Sequence, residues 1–104
     1  MQFPKLFGSR QALSMQEPAQ AFKHLQPGRR YRVVRGFVDY DGVSHVEGES
    51  WMFLTSSFLP YEDGLSLFIR MNDGAKGHIR LQWRPESQST VIDALEDHLA
   101  EEQT

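Results

Sequence analysis

The chain has no cysteine, so it carries no disulfide framework and no cysteine-ligated zinc or iron–sulfur centre, and its core must hold the fold unaided. No apolar run approaches the ~20 residues that cross a bilayer as a helix. Met1 to Arg10 are interrupted by Pro4, Lys5 and Gly8 and lack the continuous apolar stretch of a secretion signal. The expectation is a cytoplasmic protein with no membrane contact. Basic charge is in deficit: a formal net charge of -3 argues against a general affinity for nucleic acid, which is driven by Lys and Arg neutralising phosphates. Gly42, Gly48, Gly64, Gly74 and Gly77 are scattered one per turn, unlike a phosphate-binding loop, so no nucleotide site is indicated. The Gly-x-Ser-x-Gly elbow of serine hydrolases is missing too. No residue pattern demands a cofactor.

What is present suits one folded domain: 104 residues, 39% hydrophobic and 12% aromatic, enough for a single core but not two. Its centre is Gly48-Glu49-Ser50-Trp51-Met52-Phe53-Leu54, where four consecutive apolar side chains make both faces of an extended strand apolar. The charges are uneven. Lys23, Arg29, Arg30, Arg32 and Arg35 lie close together without an acid, and Asp93, Glu96, Asp97, Glu101 and Glu102 without a Lys or Arg, a pattern that reads as two solvated faces of opposite sign.

Residues 1 to 16 read as an arm, with residues 17 to 104 forming the domain. Pro18 after Glu17 suits the first turn of a short helix with Ala21, Phe22 and Leu25 on one face, stopped by Pro27-Gly28. Arg30 to Tyr40 alternates as a strand with a bend at Gly36, Asp41-Gly42 marks a hairpin, and Val43 to Glu47 is its partner. After the central strand, Glu49 to Thr55, a loop over Ser56 to Gly64 is expected. Leu65 to Arg70 and His78 to Arg84 then alternate as strands, with Trp83 on the apolar side beside Ile79 and Leu81. A helix after Pro85 is expected to carry Val91, Ile92, Leu95 and Leu99, with a capping box from Thr90 to Asp93 and a fraying last turn at Glu101 and Glu102. These elements predict a mainly β, α+β fold: a small, strongly coiled five-stranded antiparallel barrel of the SH3-like kind, with a short N-terminal and a C-terminal helix. The alternative is an open antiparallel sheet crossed by the C-terminal helix.

His45, Glu47 and Glu49 fall at alternate positions, so on a regular strand they form a row able to bind a divalent metal or to pair a base with its orienter. Any exposed strand shows such spacing, and Gly48 can break the row. Asp39 and Asp41, like Glu62 and Asp63, suit turns, where Asp bonds nearby backbone. His78, Arg80 and Arg84 with Trp51 and Trp83 would make a basic, aromatic surface, although alternation places both tryptophans in the core, with the arginines bridging to Glu49 or Glu62.

Phe22, Leu25 and Gly28 ahead of Tyr31-Arg-Val33, then Phe37, Asp39, His45, Gly48-Glu49-x-Trp51-x-Phe53, Pro60-Tyr61-Glu-Asp-Gly64-Leu65 and Ile79-Arg80-Leu81-Gln-Trp83 resemble a small family of bacterial proteins known only as a domain of unknown function. The resemblance spans roughly residues 20 to 100. It implies a bacterial, cytoplasmic, single-domain protein and transfers no catalytic residue. The leading expectation is a non-enzymatic module that binds a protein partner near His45, Glu49, Tyr61 and Arg80. The alternatives are a metal-dependent or acid–base enzyme using His45 with Glu47 or Glu49, and a self-associating structural domain, for instance a homodimer.

Overall fold

A computed structural model describes residues 18–102; the arm expected over residues 1 to 16 lies outside them. In chain order the elements are β1 (Arg30–Val33), β2 (Phe37–Val38), β3 (Ser44–His45), β4 (Ser50–Leu59), β5 (Gly64–Arg70), β6 (Lys76–Gln82), α1 (Ser89–Asp93), α2 (Leu95–His98) and β7 (Leu99–Glu101). Five strands pair antiparallel in the order β6-β5-β4-β1-β7, and β2 pairs with β3 as a separate hairpin. A closed barrel is not found among the described residues, and β6 and β7 form the two edges of the sheet. No helix is long and apolar enough to cross a membrane among the described residues.

β4 is central. It pairs with β1 on one side and β5 on the other, and the register against β5 slips between Phe53 and Thr55, the signature of a bulge that bends the strand. Its first half buries Trp51 and Phe53 against Tyr31 and Val33 of β1, and β5 and β6 add Leu65, Leu67, Ile79 and Leu81. Side chains of this size contribute about 1.5–3 kcal/mol each when fully buried, which makes this seam the main source of stability. The strand also runs further than expected. Ser56 to Leu59, read above as loop, continue the pairing with β5, and a 3-10 turn at Pro60–Glu62 makes the connection.

Three expectations are corrected at the ends of the chain. The N-terminal helix is not formed: Phe22 and Leu25 exchange backbone hydrogen bonds across a tight turn with Lys23 at φ 52°. A segment of about two turns nucleates poorly alone, and here Gln20 bonds Thr55 and Ser56 of β4 instead. The C-terminal helix is broken at Ala94 into two short helices, neither with a side-chain cap, so the Thr90 capping box is not used. The chain then leaves helix altogether, and β7 pairs with β1. The stripe Ile92, Leu95 and Leu99 is buried as its spacing implied, but Leu99 reaches the core from a strand. Finally, the basic and acidic runs meet in part: Arg29 pairs with Glu101 at 3.0 Å and Arg30 with Glu102 at 3.5 Å. The two acids that would fray a helix end sit beside Arg29 and Arg30 instead.

Candidate functional site

The β2–β3 hairpin is built around Asp39. Its backbone N–H donates to the Val43 carbonyl and its carbonyl accepts the Gly42 N–H, each at 3.0 Å, Gly42 supplies a positive φ of 83°, and the Asp39 Oδ1 accepts the N–H groups of Asp41 and Val43, each at 2.9 Å. This is the role that turns give aspartate. The other carboxylate oxygen faces inward. There His45 Nε2 lies 2.8 Å from Asp39 Oδ2, while His45 Nδ1 lies 2.7 Å from Glu49 Oε2. Glu49 Oε2 also accepts the indole N–H of Trp51 at 3.0 Å.

Glu49 reaches His45 because the chain turns at Gly48, φ 98°, so the expected row of alternate residues does not exist. β3 ends at His45, and Glu47 is exposed and outside the cluster. Phe37 stacks on the imidazole at 4.9 Å between centroids and meets His98 edge-on at 5.7 Å, and His98 Nδ1 contacts the Arg35 carbonyl at 3.1 Å. Asp39, His45 and His98 are the buried polar side chains of the described residues.

Burial pushes the Asp39 carboxyl up, but hydrogen bonds from His45 and from Val43 N–H, the His45 charge and the Asp41 N–H outweigh it and hold the group below its ordinary value. Asp39 is therefore an acceptor, and so is Glu49 Oε2, which takes the Trp51 N–H. Both His45 contacts are then hydrogen bonds when each ring nitrogen carries a proton. The cluster is a clasp that ties β2, β3 and the start of β4 together. It leaves no ring nitrogen for a substrate, and its two carboxylates stand on opposite sides of the ring instead of converging on one point. Among the described residues no group of three His, Asp or Glu side chains is arranged to hold a metal.

The hairpin so fixed borders an open groove of about 280 Å³ lined by Tyr40, Leu59, Tyr61, Leu81, Arg80 and Arg84. Tyr40 N–H donates to the Arg80 carbonyl of edge strand β6 at 2.8 Å. Asp41 holds the Arg80 guanidinium through two contacts of 3.1 and 3.2 Å, which sets it 5.2 Å from the centroid of the Tyr40 ring. Arg84 bonds Asp63 at 2.8 Å, and that bond above all holds the guanidinium charged, pushed above its ordinary value. Tyr61, on the 3-10 turn, is 100% exposed, and Tyr40 and Leu59 are each about half exposed.

Of the four residues expected at the site, His45 and Glu49 thus form the clasp, while Tyr61 and Arg80 line the groove. The hairpin connects the two pairs. Sequence reasoning assigned Asp39 and Asp41 to a turn and missed that the same residues hold His45 and Arg80; it missed Tyr40 as lining, and it set Arg84 beside Arg80 only in a surface shared with the tryptophans. Trp83, expected in the core, is about one-third exposed. Its indole N–H donates to Asp93 at 2.9 Å, and Phe22 and Phe58 each meet it edge-on at 6.0 Å.

A family model described as Domain of unknown function (DUF3601) matches residues 7–101. The chain belongs to the DUF3601 family. The match starts before the expected residue 20 and takes in part of the arm. A solved structure, an integron cassette protein from the mobile metagenome of Vibrio cholerae, is 37% identical and superposes with a TM-score of 0.77 over 81% of this chain and 95% of that one. No curated protein matches the chain.

Proposed function

We propose that this DUF3601 domain is a protein-binding module whose recognition surface is the groove between Tyr40, Leu59, Tyr61 and Arg80. The observation that supports it most is Tyr61, wholly exposed on a short turn anchored at both ends by strands. Burying a large aromatic side chain at an interface contributes far more than leaving it in water, and aromatic and arginine side chains dominate the energetics of most interfaces. Tyr40 and Leu59 extend the apolar surface, and Arg80 and Arg84 supply a polar rim. The partner fitted to it is a protein segment bearing an aromatic or aliphatic anchor. The Tyr40–Arg80 backbone bond joins the hairpin to the β6 edge. A bacterial setting accords with the Vibrio cassette relative; a cytoplasmic one is our reading of the composition.

Capture from an extract of the native host, followed by mass spectrometry, tests the surface. Tyr61→Ala and Arg80→Ala should lose the same partner that the wild-type chain retains, and Tyr61→Ala should leave stability within about 0.5 kcal/mol because the side chain packs on nothing. Equal capture by both variants would place recognition elsewhere. If the partner is a second copy, light scattering will show a dimer that Tyr61→Ala dissociates.

A further inference from the structure

We infer that the Asp39–His45–Glu49 clasp is a proton-operated catch for the groove, closed while the His45 ring carries two protons and slackened when one is lost to solvent. The inference rests on the groove as the recognition surface and adds how that surface would be regulated.

The geometry leaves the ring no neutral tautomer that satisfies both sides. With one proton, either Nε2 or Nδ1 turns a lone pair on a carboxylate oxygen less than 3 Å away, and one of the two hydrogen bonds becomes a repulsion. A buried polar contact broken in this way is costly. The groups facing the ring are few: Asp39 from the end of β2, Glu49 from the turn before β4, and Phe37 stacked on its face. Trp51 reaches it through Glu49, and His98, from the end of α2, lies across Phe37. Arg35 enters through its carbonyl, bound to His98.

The mechanical link runs through Asp39. Its second oxygen holds the Asp41 and Val43 N–H groups, and the same turn presents Tyr40 to the Arg80 carbonyl and Asp41 to the Arg80 guanidinium. A shift of Asp39 away from an unprotonated Nε2 therefore moves the two residues that frame the groove. The Glu49 side chain has no such link, since its other hydrogen bond is to the buried Trp51 indole. Release of the ring from Asp39 opens the catch, and release from Glu49 leaves the groove in place.

The test is an NMR pH series on the full chain, reading the His45 ring nitrogens, the Tyr40 backbone amide and the Arg80 Nε–H together. The expected result is that Tyr40 and Arg80 change with the midpoint of His45, and that Tyr40 amide exchange speeds as the ring loses its proton. His98→Gln, which removes the neighbouring imidazole, should leave this coupling intact. Asp39→Asn should weaken it, because its amide oxygen keeps the Asp41 and Val43 N–H groups while its NH₂ donates to an unprotonated Nε2. His45 titrating with Tyr40 and Arg80 unmoved would overturn the catch, as would a response that persists in Asp39→Asn or disappears in His98→Gln. Retention of both ring protons until the chain unfolds would overturn it as well. None of these results bears on Tyr61, so failure of the catch and failure of the recognition surface are separately visible.

Discussion

Replacing Asp39 separates shape from charge in the clasp. Asp39→Ala removes the acceptor for the Asp41 and Val43 N–H groups and for His45. Two backbone bonds at about 1 kcal/mol each, with a charge-assisted bond to a buried imidazole at about 1.5–3 kcal/mol, give a loss of about 4 kcal/mol. A domain of this length has only about 5–15 kcal/mol to lose. With a urea slope of about 2 kcal/mol per molar, the unfolding midpoint should fall by roughly 2 M, read from tryptophan fluorescence, since Trp51 is buried beside the clasp. Asp39→Asn has a different prospect. Its amide oxygen keeps the two backbone N–H groups, and its NH₂ donates to Nε2 of a neutral ring whose Nδ1–H still bonds Glu49, so the cost should be about 1–2 kcal/mol. A loss under about 1 kcal/mol for Asp39→Ala, or an equal loss for both variants, would refute the clasp.

The acid side gives a related prediction. Asp39 is held below its ordinary value of 3.8, so its contribution is full above that value and disappears as pH falls through the lower folded value. Wild-type stability should drop more steeply below about pH 3.8 than that of Asp39→Asn, which has no carboxylate to protonate; parallel curves in acid urea melts would contradict this. Gly48→Ala should cost about 1–2 kcal/mol, since φ there is 98° while a Cβ would meet nothing within 4 Å, and calorimetry would show strain without a packing defect. Leu99→Ala should cost about 2–5 kcal/mol by emptying a fully buried position, far more than Glu101→Gln, whose exposed pair with Arg29 contributes at most about 1 kcal/mol. Thermal melts that rank Glu101→Gln above Leu99→Ala would show that charge, not burial, holds β7.

The sheet was legible because burial on a pleated strand leaves a period of two: Ile79 and Leu81 of β6 and Leu65, Leu67 and Ile69 of β5 lie where alternation put them. The ends were misread because the apolar spacing of Phe22 with Leu25, or of Ile92, Leu95 and Leu99, says only that those residues are buried together. Whether backbone hydrogen bonds close locally or across the molecule depends on partners distant in sequence: β1 for Leu99, and Thr55 and Ser56 for Gln20. Trp83 alternates correctly but lies beyond the last paired residue of β6, where Phe22 and Phe58 meet its ring edge-on and about a third of it stays exposed. At the site, His45 and Glu49 were found for the wrong geometry. Their proximity comes from the turn at Gly48 and not from a strand row, and Asp39, four residues from Val43 and six from His45, serves both at once.

The most direct test of the recognition surface is site-specific photo-crosslinking in the native host, with a photoreactive side chain at position 61 and, for comparison, at exposed position 73 in the β5–β6 turn. A discrete adduct from position 61 and none from position 73 is the predicted result, since Tyr61 projects from the groove and Asp73 lies at the other end of β5. No adduct from position 61, or the same adduct from both, would contradict a partner seated on Tyr61.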